Sequence, residues 1–433
     1  MRKMQTAVRH LAALCSRNSL YGLLLAVANS SLFILHSSLL MACSNEGDES
    51  QQGPQQEQQV MGFAATVAES ETAEARATRA EGDPEPGDGE LTTALLQEKG
   101  FGVYCWYTGS SDYTSGHIKD VTSEILMVNQ HVEYKDSKWT YSPAKYWPLN
   151  ADEKLTLRAY APYVSYQLQT DPTTGLPLLP VVVKNDDYQN GRQQDPLWGT
   201  ARHGGSDDEA TTYGVLYDNY THKMSGNSTG KDERDGFIDW YFHHGMTKLM
   251  FTCSVIQDPG CDKVTITSIE IKNLYKQGLL SLSSATTSSS DKPTWTERSG
   301  DMTVTLKEAT PNTEAGDLAP ISTPVGFSPY PFVITTSTTK ATDPINLLSK
   351  GLLIIPRDFS TTNMTVTVTY TIDTDTTPLT AKGTIAQNLQ GNTAYTLNLS
   401  LTPSTKGLEI TMVQSAFTTW GDGGGIDRTV YNW

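Results

Sequence analysis

The sequence predicts an all-β protein of two tandem antiparallel β-sandwiches, and three observations carry that prediction. Apolar and polar residues alternate with period two over residues 302–306, 364–370 and 395–399, as in strands with one buried face. Residues 155–161 and 264–266 follow the same pattern, and Thr, which favours strands, supplies many of the polar positions. Clusters such as Asp171-Pro172, Asn190-Gly191 and Gly391-Asn392 punctuate these runs. No extended helical periodicity competes with them.

The elements can be justified in chain order. Arg2, Lys3, Arg9 and Arg17 precede a mostly apolar stretch, residues 20–40, that ends Leu40-Met41-Ala42-Cys43. Charge, then an apolar run, then small residues is the order of a secretory signal. The last four residues resemble the lipobox of bacterial lipoproteins. Ala42 suits the pocket before the cut, and Cys43 supplies the thiol that carries lipid. Residues 1–42 are the expected signal peptide. A plain membrane-spanning helix competes, since about 20 apolar residues cross a bilayer. Asn29, Ser30, Ser31 and His36 weaken that alternative.

Residues 43–59 are polar, Gln-rich and without aromatics, so they read as a disordered tether. Residues 60–67 (Val-Met-Gly-Phe-Ala-Ala-Thr-Val) form an apolar segment of strand length. Residues 68–90, rich in Ala, Glu, Pro and Gly, read as a flexible loop and carry Arg76 and Arg79. One strand is therefore held between two flexible segments. Leu91, Leu95 and Leu96 suggest a short helix stopped by Gly100. Residues 43–433 exceed one ordinary domain and suit two. The polar stretch 225–235 places the boundary between an N-terminal sandwich, 60–230, and a C-terminal one, 231–433.

A formal charge of −16, with 18% charged residues, gives no electrostatic reason to bind nucleic acid. Five cysteines are present. Cys15 leaves with the signal, and Cys253 and Cys261 flank Asp258-Pro259-Gly260, a turn sequence. A local disulfide across a hairpin is a candidate there. No CxxC or paired-histidine spacing indicates zinc. His243 and His244 would face opposite sides of a strand and cannot share an ion, so a buried, hydrogen-bonded histidine is the expected use. Asp207-Asp208-Glu209 lacks the surroundings of a calcium loop, and Gly421-Asp422-Gly423-Gly424-Gly425 lacks those of a phosphate cradle. No catalytic constellation or cofactor motif stands out, so a non-enzymatic role is expected. A hydrolase of unrecognised type is a remote third reading. The candidate ligand-facing aromatics are Trp139, Tyr146 and Trp147, although a sandwich core plus the wall of one loop is the favoured use of these rings.

Several segments occur in a familiar order. Phe101-Gly102-Val103-Tyr104 with Trp106-Tyr107-Thr108 precedes Met127-Val128-Asn129-Gln130. Trp139-Thr140-Tyr141-Ser142-Pro143 then runs into Lys145-Tyr146-Trp147-Pro148, and Ala159-Tyr160-Ala161-Pro162-Tyr163 follows. Later come Gly214-Val215-Leu216-Tyr217 and Phe242-His243-His244-Gly245-Met246-Thr247-Lys248-Leu249. This order resembles the fimbrillin-like proteins, pilus subunits and adhesins of Gram-negative gut and oral anaerobes. The likeness runs from about residue 60 onward, with the aromatic block 139–163 its most specific part. It departs at Val215-Leu216-Tyr217-Asp218 and at Gly245.

The resemblance implies two tandem sandwiches and export as a surface-exposed outer-membrane lipoprotein anchored through Cys43. It also implies assembly into a fimbrium. A protease cuts after the first strand, here at Arg79 or Arg76, and a strand from the next subunit enters the vacated groove. Residues 60–67 are the expected plug, and the expected donor lies in the C-terminal region, where residues 408–413 alternate and a later segment reaches Trp433. Other fimbrial subunits, the outer membrane and a host or bacterial surface ligand are the expected partners. A monomeric, lipid-anchored glycan-binding protein is the alternative.

Overall fold

The computed structural model describes residues 59–67, 91–113, 124–185, 193–202, 213–222, 236–256, 261–282, 293–307, 332–335, 345–346 and 351–416. The described residues belong to one compact unit. The described elements are almost entirely strands. In chain order they begin with β1 (Gly62–Val67), α1 (Thr93–Lys99), β2 (Phe101–Gly109), β3 (Glu124–Lys135), β4 (Lys138–Thr140), β5 (Lys154–Ala161) and β6 (Gln169–Thr170). Next come β7 (Pro177–Val182), β8 (Leu197–Arg202), β9 (Tyr213–Val215), β10 (Tyr217–Thr221) and β11 (Phe237–His244). The chain continues with β12 (Thr247–Val255), β13 (Lys263–Ser281), β14 (Thr294–Lys307), β15 (Phe332–Thr335), β16 (Ile345–Asn346), β17 (Leu352–Ile354) and β18 (Arg357–Asp358). It ends with β19 (Met364–Ile372), β20 (Leu379–Ile385), β21 (Asn388–Leu389), β22 (Thr393–Thr402) and β23 (Gly407–Ala416).

Helix α1 forms for local reasons. The Thr92 hydroxyl accepts from Leu95 N at 3.2 Å, which satisfies one of the first turn's orphan donors. Gly100 ends the helix at φ 68°, donating its N–H to Leu96 O, as left-handed C-terminal glycines do.

A nine-stranded sheet runs β1-β11-β8-β5-β2-β3-β4, with β10 joined to β5 and β9 to β8. Its two ends meet: Met61 N donates to Lys145 O and Trp147 N donates to Gln59 O, both at 2.9 Å. The sheet thus curls around a first core containing Phe101, Val103, Leu157, Ile238 and Phe242. Tyr104, Trp106, Tyr160 and Trp198, on its opposite face, join a second core. Strands covered on both faces lose the alternation, and β5 is buried at all but its first residue.

The second core lies between a five-stranded sheet, β16-β12-β22-β23 with β17 on β12, and a seven-stranded one. The latter runs β20-β19-β13-β7-β6, with β14 and β15 on β13. Most pairings are antiparallel. Two are parallel: β1 on β11 and β12 on β22.

The boundary expected between residues 230 and 231 does not follow the sheets. β11, from the C-terminal part, lies between β1 and β8, while β7, from the N-terminal part, pairs with β13. Strands pair where both faces find cover, and the polar stretch 225–235 carries no information about that. β11 continues through Gly245 into β12, so one chain segment links both cores. Gly245 has a steric reason: a Cβ there would lie 2.6 Å from Pro196 O and 2.8 Å from Leu280 Cδ2.

Candidate functional site

The segment expected to act as a plug is an edge strand that completes the first core. Met61, Phe63, Ala65 and Val67 point inward and are buried. The Phe63 ring lies 5.2 Å from Tyr141 and 6.2 Å from Phe101, centroid to centroid. Gly62 faces outward beneath Phe237, whose ring would lie 2.8 Å from a Cβ at that position.

A clasp holds the start of the strand. Gly236, at φ 81°, turns its carbonyl to accept from Gly62 N and from Trp147 Nε1, both at 2.9 Å. Tyr141 donates its hydroxyl to Met61 O at 2.8 Å, and burial pushes that hydroxyl up to about 12. Gln59 Oε1 lies 2.8 Å from His222 Nε2, and the His222 ring stacks on Trp147. Val60 bridges to Tyr146. The expected tether therefore ends before Gln59, which is bound at both backbone and side chain. At the far end of β1, Val67 N donates to Thr93 Oγ1 at 3.1 Å.

Magnitudes explain what such a strand can do. Burying Met61, Phe63 or Val67 contributes about 1.5–3 kcal/mol each. Ordering each residue of β1 costs about 1–2 kcal/mol of backbone entropy. These nearly cancel, so the main-chain ladder to β11 supports the strand, and the covalent link, which keeps it at high effective concentration, favours it over a competing strand. A sheet edge offers main-chain groups to any other strand that fits.

The structure separates the aromatic candidates. Trp147 is 1% exposed and belongs to the core, which corrects its reading as a ligand-facing ring. Trp139 is half-buried, packed 4.9 Å from Phe101 and 5.1 Å from Tyr134. Tyr146, at 47% exposure, is the one that faces outward. Neighbours in sequence point to opposite sides here, so Tyr146 is out and Trp147 in.

The candidate disulfide is not formed in the structure: Cys253 and Cys261 are buried and not joined to each other. They do not flank a hairpin, because β12 and β13 lie in different sheets. Their thiols lie near Ser254 O and Lys263 O respectively. His243 Nε2 lies 2.9 Å from Thr200 Oγ1, and its ring stacks on Trp198. His244 Nδ1 lies 2.7 Å from the buried Asp195 Oδ2, so both histidines are hydrogen-bonded. His244 sits in the nine-stranded sheet, not in the second sandwich where the expected boundary had put it. Cys43, Arg76, Arg79 and residues 207–209 and 421–425 lie outside the described residues.

β23, which holds residues 408–413 of the expected donor region, is the edge of the five-stranded sheet and pairs with β22 in that order; the later segment of that region lies outside the described residues. Leu408, Ile410 and Met412 pack against the second core, while Glu409, Thr411 and Val413 are exposed. Gln59, His222, Gly236 and Asp195 escaped sequence reasoning. Their roles depend on contacts between distant segments, and only the turn-forming Gly236 leaves a local signal.

Residues 78–420 match the fimbrillin-like family. A fimbrium subunit, Fim1C, of Phocaeicola vulgatus is 36% identical over 77 residues, which is 18% of this chain and 20% of that relative. The chain thus spans about a fifth of that relative's length in the match. The crystal structure of a fimbrial protein from Bacteroides vulgatus is similar at a TM-score of 0.50 and 16% identity, covering 83% of this chain and 99% of the other. A candidate cell adhesion protein from Bacteroides ovatus gives a TM-score of 0.39 at 12% identity, covering 84% and 98%. With most of its length matched by one family over an all-β fold, the chain belongs to the fimbrillin-like family.

Proposed function

We propose that the protein is a structural subunit or adhesin of a surface fimbria, exported as an outer-membrane lipoprotein through Cys43 and assembled by protease-triggered strand exchange. The observation that carries this reading is β1. It is an edge strand with three inward side chains in the first core, joined by Met61 just before it, and residues 68–90, with both arginines, separate it from Leu91. The family match begins at residue 78, beyond β1, which supports treating that strand as a removable segment. A cut at Arg79 or Arg76 turns an intramolecular plug into an exchangeable one, and a neighbour's strand replaces it.

The alternative of a lipid-anchored glycan-binding monomer draws less support, because Trp147 lies in the core. The test is the N-terminal sequence of protein from sheared surface filaments. A start at Ala80 is expected for cleavage after Arg79, and at Ala77 for cleavage after Arg76. A blocked, lipidated Cys43 in all the cellular protein would overturn the exchange mechanism.

A further inference from the structure

We infer that Ala65 makes the β1 groove selective: it admits an extended strand whose third inward side chain is Gly, Ala or Ser, and refuses the core-facing side of β23. The inference rests on the strand-exchange reading above.

The four inward slots of the groove are occupied by Met61, Phe63, Ala65 and Val67. In register on β11, Phe63 lies beside Ile238, Ala65 beside Trp240 and Val67 beside Phe242. The smallest plug residue thus neighbours the largest groove residue. Trp240 is held where it is. Its Cε3 would lie 2.7 Å from a Cβ on Gly199, so the ring already uses the space that glycine leaves. Tyr217 packs edge-on at 4.6 Å from the same indole, with its own hydroxyl bound to Asp239 O. With Trp240 fixed and Ala65 only 7% exposed, a longer side chain in the third slot overpacks the core.

The core-facing side of β23 presents Leu408, Ile410 and Met412 in alternation. Laid parallel to β1, Leu408 and Ile410 in the first two slots bring Met412 to the third, and Ile410 and Met412 bring Gln414. Laid antiparallel, Met412 and Ile410 bring Leu408, and Ile410 and Leu408 bring Lys406. Each arrangement puts a long side chain against Trp240. The occupant is therefore a strand of different chemistry: apolar at the first, second and fourth inward positions and small at the third.

The test uses the full chain with a specific protease site inserted after Arg79 and a fluorophore on the fragment that contains β1. After cutting, release of that fragment is followed as peptides compete for the groove. A peptide of residues 59–67 should displace it. The same peptide with Ala65→Met should be at least about tenfold weaker, and a peptide of residues 407–416 should not displace it. Met412→Ala with Gln414→Val in that last peptide should confer displacement, a gain that no loss of folding can mimic. Equal displacement by the Ala65→Met peptide or by the unchanged 407–416 peptide would overturn the selectivity. Failure of the 59–67 peptide itself would instead sink the strand-exchange reading, and this inference with it.

Discussion

Trp147 donates its indole N–H to the carbonyl of Gly236 at 2.9 Å, and the same oxygen receives the N–H of Gly62. One carbonyl thus ties the aromatic block to the first residue of β1. Trp147→Phe removes one of these donors and part of a buried ring. A stability loss of about 1–3 kcal/mol is expected by urea denaturation, with faster release of β1 once the following loop is cut. Wild-type stability and release would show that the clasp contributes nothing.

Gly236→Ala attacks the same clasp from the backbone. Its φ of 81° suits glycine, and a Cβ would lie 2.5 Å from the Gln59 side-chain nitrogen. The substitution should destabilise by about 1–2 kcal/mol. Hydrogen exchange should rise first at Met61 and Gly62. Unchanged protection there would contradict the assignment.

Buried Asp195 Oδ2 accepts from Leu91 N at 2.9 Å and lies 2.7 Å from His244 Nδ1. The pair fixes the chain at Leu91, just before α1. His244→Ala leaves the carboxylate with one fewer partner and should cost about 1–3 kcal/mol in chemical denaturation. A stoichiometric transition metal in purified protein, lost in this variant, would point to a different role.

Strand character was legible where one face is buried and the other wet. Residues 364–370 and 395–399 alternate in sequence, and they lie in β19 and β22. Residues 60–67 were legible as a strand because the run is short, apolar and isolated between polar segments. Its parallel partner was not, since nothing within residues 237–244 states that Phe237 lies beside Gly62. Cys253 and Cys261 misled for a related reason. A turn sequence between two strands says nothing about whether they pair with each other or pass to different sheets.

Burial also sets an alkaline limit. It pushes the Cys253 thiol from its ordinary 9.0 up to about 12 and raises Cys105 as well, against a smaller opposing pull from Lys145. Groups with raised folded values contribute stability that is complete below about pH 9 and is lost as pH rises through the folded values. The urea midpoint should therefore fall as pH climbs from about 9 toward 12. At neutral pH an alkylating reagent should spare Cys105, Cys253 and Cys261 in native protein and label all three after denaturation without reductant. A reductant requirement would indicate a disulfide after all.

In the proposed assembly, cleavage at Arg79 or Arg76 is the step that makes β1 exchangeable. While residues 68–90 remain intact, β1 rebinds its groove faster than a neighbour's strand can compete, because its effective concentration is set by a short connection. Cutting removes that advantage without disturbing Met61, Phe63, Ala65 or Val67. The severed strand should stay bound until a better-fitting strand displaces it. Arg79→Ala with Arg76→Ala should therefore give a folded, lipidated monomer that forms no filaments, visible as uncut protein and an absence of fibres in sheared surface fractions. Truncation after Gly407 removes nearly all of β23 together with residues 417–433 and tests separately whether the C-terminal region supplies the donor. That strand covers part of the second core through Leu408, Ile410 and Met412, so retention of the native denaturation profile must accompany any loss of assembly. Normal polymer from the double arginine variant would exclude cleavage at these sites as the trigger.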